Sequence, residues 1–357
     1  MNDARTPWRW RARLGAVTLL AGLFTAVAGV SAPAVTASAP AKPPAPKVAD
    51  IGRYGVGFTS RTFVDSSRST EGVAQSRTLL TGIYYPAQGT PPGQVVENAA
   101  PDTKDGPYPL ILFSHGLGAR GVFYQDDIKT WASAGYIVAA PDYPLSNANA
   151  PGGASFGRAI ADTKNQPADA SFVINEVIKL DKQGEQLGGI DAKRIGASGH
   201  SLGGITTYGL VFSSCCRDKR IKAAIPMSGL AGVVEGPENY FKTSTPLLGL
   251  HGNADGTVPY QAGRNAYMAA QPPKFLLTFL GAGHVSPFLG GDNPQANALK
   301  ETTVDFWNSY LKGDKASLDK LRTDGSVPGA TTLDEQGGRA SPTRTPASTA
   351  ARNRSSG

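Results

Sequence analysis

The stretch RIGASGHSLGG, residues 194–204, constrains the fold more than any other part of this sequence. Within it, a strand-like run ends directly before Ser201, which has a glycine two positions to either side, Gly199 and Gly203. A helical pattern begins directly afterwards. This spacing is typical of a sharp strand-to-helix turn, in which a Cβ at either glycine would collide with neighbouring backbone. Such a turn lifts the serine hydroxyl above the sheet, so Ser201 is predicted to be a nucleophile; the alternative is a small residue in a tight turn.

The body of the chain alternates between apolar strand-like runs and helical patterns. The strand-like runs cover 78–86, 108–116, 134–144 and 194–200 and recur in IKAAIPMSG, PLLGLHG and KFLLTFLGAG, whereas helical patterns cover 124–134, 168–183, the residues after Ser201 and 297–313. Strands that are apolar on both faces need helices on both sides, as in a mostly parallel sheet. The sequence therefore predicts an α/β fold in a single domain, with a mostly parallel central sheet and helices on both faces.

The two ends of the chain differ in composition from the body. A basic start, a short apolar run and an Ala-x-Ala-like sequence predict a signal peptide over 1–39, the alternative being a single membrane anchor. Residues 40–49 form a Pro/Ala-rich linker, and residues 326–357, rich in Gly, Ser, Thr, Pro and Arg, are expected to be a disordered tail. The catalytic domain is therefore predicted over 50–325, in a protein secreted to the extracellular space with no stable membrane span after processing.

Charge and cysteine content exclude some classes of protein. The formal net charge is +7, but the four Arg and one Asp of residues 1–39 and the four Arg of residues 336–357 account for all of it. The nearly neutral body gives no indication of a nucleic-acid partner. The chain has two cysteines, Cys215 and Cys216, which cannot form a disulfide framework, so packing must stabilise the domain. The sequence is compatible both with a vicinal disulfide between these cysteines and with two reduced thiols. We expect the protein to be a monomer.

A serine nucleophile needs a histidine base and a carboxylate that orients it. Both follow Ser201 in the order that this turn requires. The strand-like PLLGLHG leads into a loop with Asp255, and KFLLTFLGAG leads into a loop with His284. The separations leave room for strand–helix–strand units between the three residues. The sequence therefore predicts a catalytic triad of Ser201, Asp255 and His284.

Acyl transfer also needs backbone N–H groups for the developing oxyanion. Leu202 follows the nucleophile directly, and Leu117 lies in the glycine-rich FSHGLGARG after an early strand, so these two N–H groups are the predicted donors. The other histidines, His115, His200 and His251, are expected to be structural, with His200 turned away from the serine hydroxyl. No HxH or HxxxH spacing occurs, so neither a metal nor any other cofactor is predicted.

From about residue 50 to 321 the chain resembles the serine-dependent α/β-hydrolases. The likeness is carried by FSHGLGARG, AGYIVAAPDYP, NQPADASFVINEVI, GHSLGG, KAAIPMSG, HGNADGTVP and GAGH. It is most similar to the bacterial cutinase/polyesterase group and its relatives among the dienelactone-hydrolase-like and platelet-activating-factor-acetylhydrolase-like esterases. The resemblance implies an α/β-hydrolase fold and carries the triad onto Ser201, Asp255 and His284 and the oxyanion donors onto Leu117 and Leu202.

The chain also departs from these relatives. In the acetylhydrolase-like enzymes the acid follows the strand after the nucleophile, where IPMSGLAGVVEG has no aspartate, so the cutinase-like position at Asp255 is favoured. Polyester-degrading cutinases carry a tryptophan where this chain has Leu230. These cutinases also have a shorter connection in place of residues 145–164. In this chain, the longer 145–164 segment is expected to lean over the site as a mobile cover.

The resulting interpretation is a secreted serine carboxylic-ester hydrolase, cutinase/polyesterase-like, that cleaves aliphatic esters and polyesters through an acyl-enzyme. The predicted substrate-binding residues are apolar: Leu230, Val285 and Phe288. Because Leu230 offers no aromatic face for stacking, aliphatic polyesters are expected to be cleaved faster than terephthalate polyesters. A lipase or phospholipid acyl-hydrolase with the same triad remains open, and so does a non-catalytic binding protein on this fold.

Overall fold

The computed structural model describes residues 51–70, 75–89, 94–184 and 187–337. The predicted signal peptide (1–39), the linker (40–49) and the part of the predicted tail beyond residue 337 lie outside the described residues. Among the helices that are described, none combines the length and the apolar character needed to cross a membrane.

The described residues form ten strands and seven α-helices. The strands are β1 (Gly55–Ser69), β2 (Ser76–Ala87), β3 (Val95–Glu97), β4 (Tyr108–Ser114), β5 (Ile137–Asp142), β6 (Ile190–His200), β7 (Ile221–Met227), β8 (Leu247–Gly252), β9 (Lys274–Phe279) and β10 (Thr331–Gln336). The helices are α1 (Gln125–Ser133), α2 (Phe156–Asp162), α3 (Gln166–Lys182), α4 (Leu202–Phe212), α5 (Tyr260–Ala269), α6 (Pro294–Trp307) and α7 (Ser317–Asp324). Every strand-like run and helical pattern of the sequence corresponds to one of these elements.

All ten strands belong to one sheet, in the order β10-β9-β8-β7-β6-β4-β5-β2-β1-β3. The six central strands, β4 to β9, run parallel to one another. Antiparallel pairs flank them, β2 with β5 on one side and β10 with β9 on the other. The mostly parallel α/β sheet is therefore confirmed, and the carboxyl ends of β4, β6, β8 and β9 meet at the edge where such folds bind ligands.

The sheet has one hydrophobic layer on each face. On one face the buried core includes Val173 and Val177 of α3 and Tyr208 of α4. On the other face it includes Trp131 of α1 and Trp307 of α6. Strands β4, β5, β8 and β9 are buried along their whole length, because helices cover both of their faces. This is the physical reason for their continuous apolar sequences.

The predicted boundary of the domain at residue 325 is wrong. Residues Thr331–Gln336 form β10, which pairs in antiparallel register with β9 from Thr331 opposite Phe279 to Gln336 opposite Lys274. Only Thr331 of this strand is buried, and the rest of it is half-buried or exposed. Because this edge strand is mostly polar, its sequence shows no apolar pattern, and the composition of residues 326–357 predicts a tail instead. The folded domain extends at least to residue 336.

The two cysteines form a vicinal disulfide directly after α4. Of the two states that the sequence left open, the structure therefore has the oxidised one. The backbone N–H of Cys215 donates to the carboxylate of Glu235 over 3.0 Å, and the hydroxyl of Ser213 donates to the same oxygen over 2.7 Å. The disulfide thus lies where the end of α4 is tied to the loop that follows β7.

Candidate active site

Ser201 lies on the predicted sharp turn between β6 and α4. Its φ is +57°, a backbone conformation that non-glycine residues rarely adopt. A Cβ at Gly199 would meet the backbone of Gly203 and Ser114, and one at Gly203 would meet the backbone of Ser114 and His115. The two glycines are therefore required by close approach of the chain, as the sequence predicts, and the turn presents Ser201 at the amino end of α4.

The structure brings the three predicted triad residues together. The hydroxyl of Ser201 is 2.8 Å from Nε2 of His284, and Nδ1 of His284 is 2.7 Å from Oδ2 of Asp255. A carboxylate can only accept, so Nδ1 carries the proton and Nε2 is free to accept one from the serine. The loops after β6, β8 and β9 thus form a continuous Ser–His–Asp hydrogen-bonded chain.

Asp255 is held as a carboxylate by its surroundings. Its side chain is fully buried, and its Oδ1 accepts the backbone N–H groups of Thr257 and Val258 over 2.8 and 2.9 Å. Burial alone would raise the pKa of Asp255, but the hydrogen bonds from His284 and from these N–H groups hold that pKa below its ordinary value. An ionised Asp255 can therefore stabilise an imidazolium at His284.

The predicted oxyanion donors are the residue after Ser201 and a residue of the loop after β4, where a Cβ at Gly116 would lie 3.4 Å from the Cβ of Ser201. Leu202 is the first residue of α4, where a helix has no internal acceptor for its N–H. In the loop after β4, the Gly116 N–H donates to the Tyr124 hydroxyl and the Gly118 N–H donates to the Ser146 carbonyl. The Leu117 N–H between them has no protein acceptor among the described residues. These two N–H groups can therefore serve an external oxygen.

The remaining histidines are held by backbone groups, as the sequence predicts. His115 is fully buried, with Nδ1 2.7 Å from the Gly116 carbonyl and Nε2 accepting the Tyr143 N–H over 3.0 Å. Nε2 of His251 is 2.9 Å from the Val258 carbonyl. Nε2 of His251 also lies 3.3 Å from Oδ2 of Asp255, four residues farther along the chain, a contact that the sequence analysis does not predict.

His200 points away from the serine hydroxyl, as predicted, and contacts the base instead. Its Nε2 is 2.8 Å from the backbone carbonyl of His284, and its Nδ1 is 2.8 Å from the Tyr124 hydroxyl. Burial lowers the pKa of His200 to about 4, so its imidazole is neutral near pH 7. The sequence offered no signal for Tyr124, which is 76 residues away along the chain.

One of the three predicted substrate-binding residues does not line the site. Phe288 is completely buried, and its ring packs against those of His200 and Phe279 at 4.8 and 5.7 Å. It belongs to the core beneath the base because the short helix after His284 turns it inward. Leu230 and Val285 are both 42% exposed on the loops after β7 and β9 and are accessible to a ligand.

The long connection over 145–164 lies against the nucleophile's helix. At its start, the Gly118 N–H donates to the Ser146 carbonyl over 2.8 Å, so it runs beside the loop that carries Leu117. Farther on, Ala159 of α2 is buried against Leu202 and Ile205. Phe156, one turn before Ala159, is 70% exposed.

Comparison with known proteins finds distant relatives of this chain. A family model described as Chlorophyllase matches residues 77–254, a range that contains Ser201 and stops before Asp255 and His284. The chain is 30% identical to Chlorophyllase-1 of Arabidopsis thaliana over 162 residues, 44% of this chain and 45% of that protein. It is 22% identical to a putative carboxymethylenebutenolidase of Yersinia pestis over 228 residues, 60% of this chain and 80% of that protein.

Among solved structures, the chain is similar to a ferulic acid esterase from Streptomyces cinnamoneus. The TM-score is 0.60 at 23% identity, and the match covers 73% of this chain and 92% of that one. At this level of identity the likeness shows a shared fold. The chain spans less than half of the length of Chlorophyllase-1. The residues that match the family model run from β2 to the loop after β8.

Proposed function

We propose that this chain, which has the α/β-hydrolase fold, is a serine carboxylic-ester hydrolase acting through an acyl-enzyme intermediate. Ser201 attacks the ester carbonyl while His284 takes the hydroxyl proton, and the ester carbonyl becomes a tetrahedral oxyanion. The C–O bond to the alcohol then breaks, and His284 returns the proton to the departing alcohol. Water, activated by the same histidine, attacks the acyl-serine and releases the acid.

The remaining groups stabilise charge in this mechanism. Asp255 stabilises the imidazolium that forms when His284 holds the proton, and the N–H groups of Leu117 and Leu202 donate to the oxyanion. The observation that carries the proposal is the chain of hydrogen bonds from Ser201 through His284 to a buried carboxylate, at 2.8 and 2.7 Å. It contains a nucleophile, a base and an orienting group within reach of one another.

The test is covalent labelling with a fluorophosphonate, followed by mass spectrometry of the peptides. We expect a single label on Ser201 and loss of on the order of 10⁴-fold or more in kcat on 4-nitrophenyl butyrate in Ser201→Ala. Ser198→Ala is the matched control, since Ser198 is a buried serine of β6, three residues before Ser201, and its hydroxyl donates to the Ile225 carbonyl. A label on another residue, or full activity in Ser201→Ala, would contradict the proposal.

We further propose that the substrates are esters with apolar, aliphatic acyl groups, including aliphatic polyesters. Exposed apolar side chains on two loops and on α2 support this: Leu230, Val285 and Phe156. Such a lining removes an aliphatic chain from water but cannot stabilise a charged acyl group. Release of product from polycaprolactone film is expected to exceed release from terephthalate film, because Leu230 has no aromatic face. Equal rates on the two films would contradict the argument.

A series of 4-nitrophenyl esters from C2 to C16 separates this proposal from a lipase. We expect the highest kcat/KM at short or medium chains without activation by an oil interface. A maximum at C12 or longer together with such activation would instead support a lipase or phospholipid acyl-hydrolase.

We also propose that the protein is secreted as a monomer after cleavage of residues 1–39 or a segment close to that length. The basic and apolar sequence of this segment supports export. N-terminal sequencing of protein recovered from the medium tests the cleavage, and light scattering of the same material tests the monomer. Retention of the intact chain in the membrane would contradict secretion.

A further inference from the structure

A chain of three hydrogen bonds, two buried and one partly buried, connects the loop after β4 that carries Leu117 (the oxyanion loop) to the backbone of His284, the proposed base. The Gly116 N–H lies 3.2 Å from the Tyr124 hydroxyl, which lies 2.8 Å from Nδ1 of His200. Nε2 of His200 lies 2.8 Å from the carbonyl of His284. This series of hydrogen bonds therefore begins at Gly116, next to Leu117, and ends at the backbone carbonyl of His284.

The direction of each bond in this chain is determined by chemistry. A carbonyl only accepts, so Nε2 of His200 must carry its proton and donate it to His284. In a neutral imidazole the other nitrogen, Nδ1, then accepts, so Tyr124 donates to it. The Tyr124 oxygen in turn accepts from the Gly116 N–H. Every donor has one acceptor, so only one arrangement satisfies all the groups.

The environment of His200 keeps the imidazole in the form that this arrangement needs. Both His200 and Tyr124 are 3% exposed, and burial lowers the pKa of His200 to about 4. The His200 ring lies 4.9 Å from the ring of His284, and the ring of Phe288 packs against it at 4.8 Å. A second positive charge at His200 would oppose the imidazolium at His284, so neutrality at this position favours the reaction.

The loop at Gly116 is packed closely against the same groups. A Cβ at Gly116 would lie 2.9 Å from the Tyr124 hydroxyl, 3.3 Å from Nδ1 of His200 and 3.4 Å from the Cβ of Ser201. The backbone of Gly116, next to the predicted donor Leu117, therefore packs closely against Tyr124, His200 and Ser201. A displacement of Tyr124 or His200 would move the loop relative to Ser201.

We propose that Tyr124 and His200 are positioning residues that hold the oxyanion loop and the His284 loop in one fixed arrangement around Ser201. The inference rests on the proposed function and adds to it two residues that touch neither substrate nor the reacting atoms. Their role is in the transition state, because the distance between the oxyanion donors and the base matters most when charge develops on both. Binding of the ground-state ester depends on other groups.

The test uses Tyr124→Phe, which removes one hydroxyl and leaves the ring. It leaves the Gly116 N–H and Nδ1 of His200 without their buried partner, and we expect kcat on 4-nitrophenyl butyrate to fall roughly tenfold with KM changed less than about twofold. The matched control is Tyr136→Phe, because Tyr136 is also buried and its hydroxyl donates to Asn308 over 2.7 Å, before the amino end of β5. This control is expected to lose comparable stability with no loss of kcat.

A double variant tests whether the two residues act together. If they form one unit, His200→Phe and Tyr124→Phe each lower kcat, and the double variant is little worse than the more damaging single one. An unchanged kcat in Tyr124→Phe, an equal fall in Tyr136→Phe, or additive effects of the two single variants would overturn the inference alone. Failure of the wild-type protein to hydrolyse the ester or to label at Ser201 would overturn the proposed function as well.

Discussion

Arg77 of β2 forms a two-pronged ion pair with Asp162 at the end of α2, with nitrogen–oxygen distances of 2.7 and 2.9 Å. Both side chains are buried, and Arg77 also pairs with Asp169 of α3. Since Asp162 lies only three residues after Ala159, which packs against Leu202, this pair anchors the long connection beside the nucleophile to the sheet. A charged group within the core thus fixes one end of the segment that sequence reasoning expected to be a mobile cover.

Replacing Arg77 with methionine is expected to destabilise the protein by about 3–5 kcal/mol, because it leaves the buried Asp162 with only a neutral donor, Asn165, and the buried Asp169 with only the partly exposed Arg68. Urea denaturation measures the change. Arg264→Met is the control, since Arg264 pairs with Asp334 at the surface over 3.4 Å, and its loss is expected to cost less than about 1 kcal/mol. The triple variant with Asp162→Asn and Asp169→Asn should recover much of the stability; no recovery would show that packing, not charge, was lost.

Two residues of the loop after β8 support the base in different ways. Asp255 accepts from Nδ1 of His284 over 2.7 Å, whereas Asn253 accepts the Gly281 N–H over 2.6 Å and so supports the loop that leads to the base. Asp255→Asn is expected to lower kcat roughly 10⁴-fold, because it removes the negative charge and favours the wrong tautomer. Asn253→Ala should cost far less. Equal losses in steady-state assays would mean that loop geometry, and not charge, is what Asp255 provides.

Phe156 is expected to contact the acyl chain, and its effect should depend on chain length. It lies on the same side of α2 as Ala159 and Ile160, which pack at Leu202 and Ile205. Phe156→Ala should lower kcat/KM about threefold or more on the C8 nitrophenyl ester and little on the C2 ester, since only the longer chain reaches the lost apolar surface. Met268→Ala, at an equally exposed apolar residue of α5, should change neither. An equal fall on both esters would contradict a role in acyl-chain binding.

Three acidic side chains between α6 and α7 should make stability depend on pH. Burial raises the pKa of Glu301 to about 7 and, together with Asp324, that of Asp305 to about 8; burial also raises the pKa of Asp324, against the attraction of Lys320. Because the folded-state values lie above those of the unfolded chain, the stabilising protonated forms are present at low pH and are lost as pH rises through about 7–8.

We therefore expect the melting temperature to fall between pH 6 and pH 9. Asp305→Asn should raise it at pH 9 by roughly 3 °C or more and change it much less at pH 5. Asp292→Asn, at an exposed carboxylate before α6, is the control and should have no effect at either pH. Calorimetry across this range would refute the argument if Asp305→Asn and wild type lost stability in parallel.

The sequence alone determined the features that depend on neighbouring residues or on strongly apolar runs. Gly199, Ser201 and Gly203 predict the sharp turn because glycine permits the close backbone approach that such a turn needs, and the structure has it. The order of the strands' apolar runs likewise placed Asp255 and His284 on loops at the same edge of the sheet as Ser201.

Only the tertiary structure decided the features that depend on residues distant in the chain. Strand β10 is held by pairing with β9 and carries polar residues, so no local pattern identified it. The sequence predicts Phe288 as a substrate-binding residue because it is apolar and follows His284. In the structure its ring packs against His200 instead, because its burial depends on the conformation of the whole loop. The hydrogen bond from Tyr124 to His200 joins residues 76 apart, and the ion pair of Arg77 with Asp162 joins residues 85 apart. Such contacts form only when the helices and strands pack together. Burial of these groups strengthens the hydrogen bonds and ion pairs, and a short stretch of sequence does not determine which groups become buried.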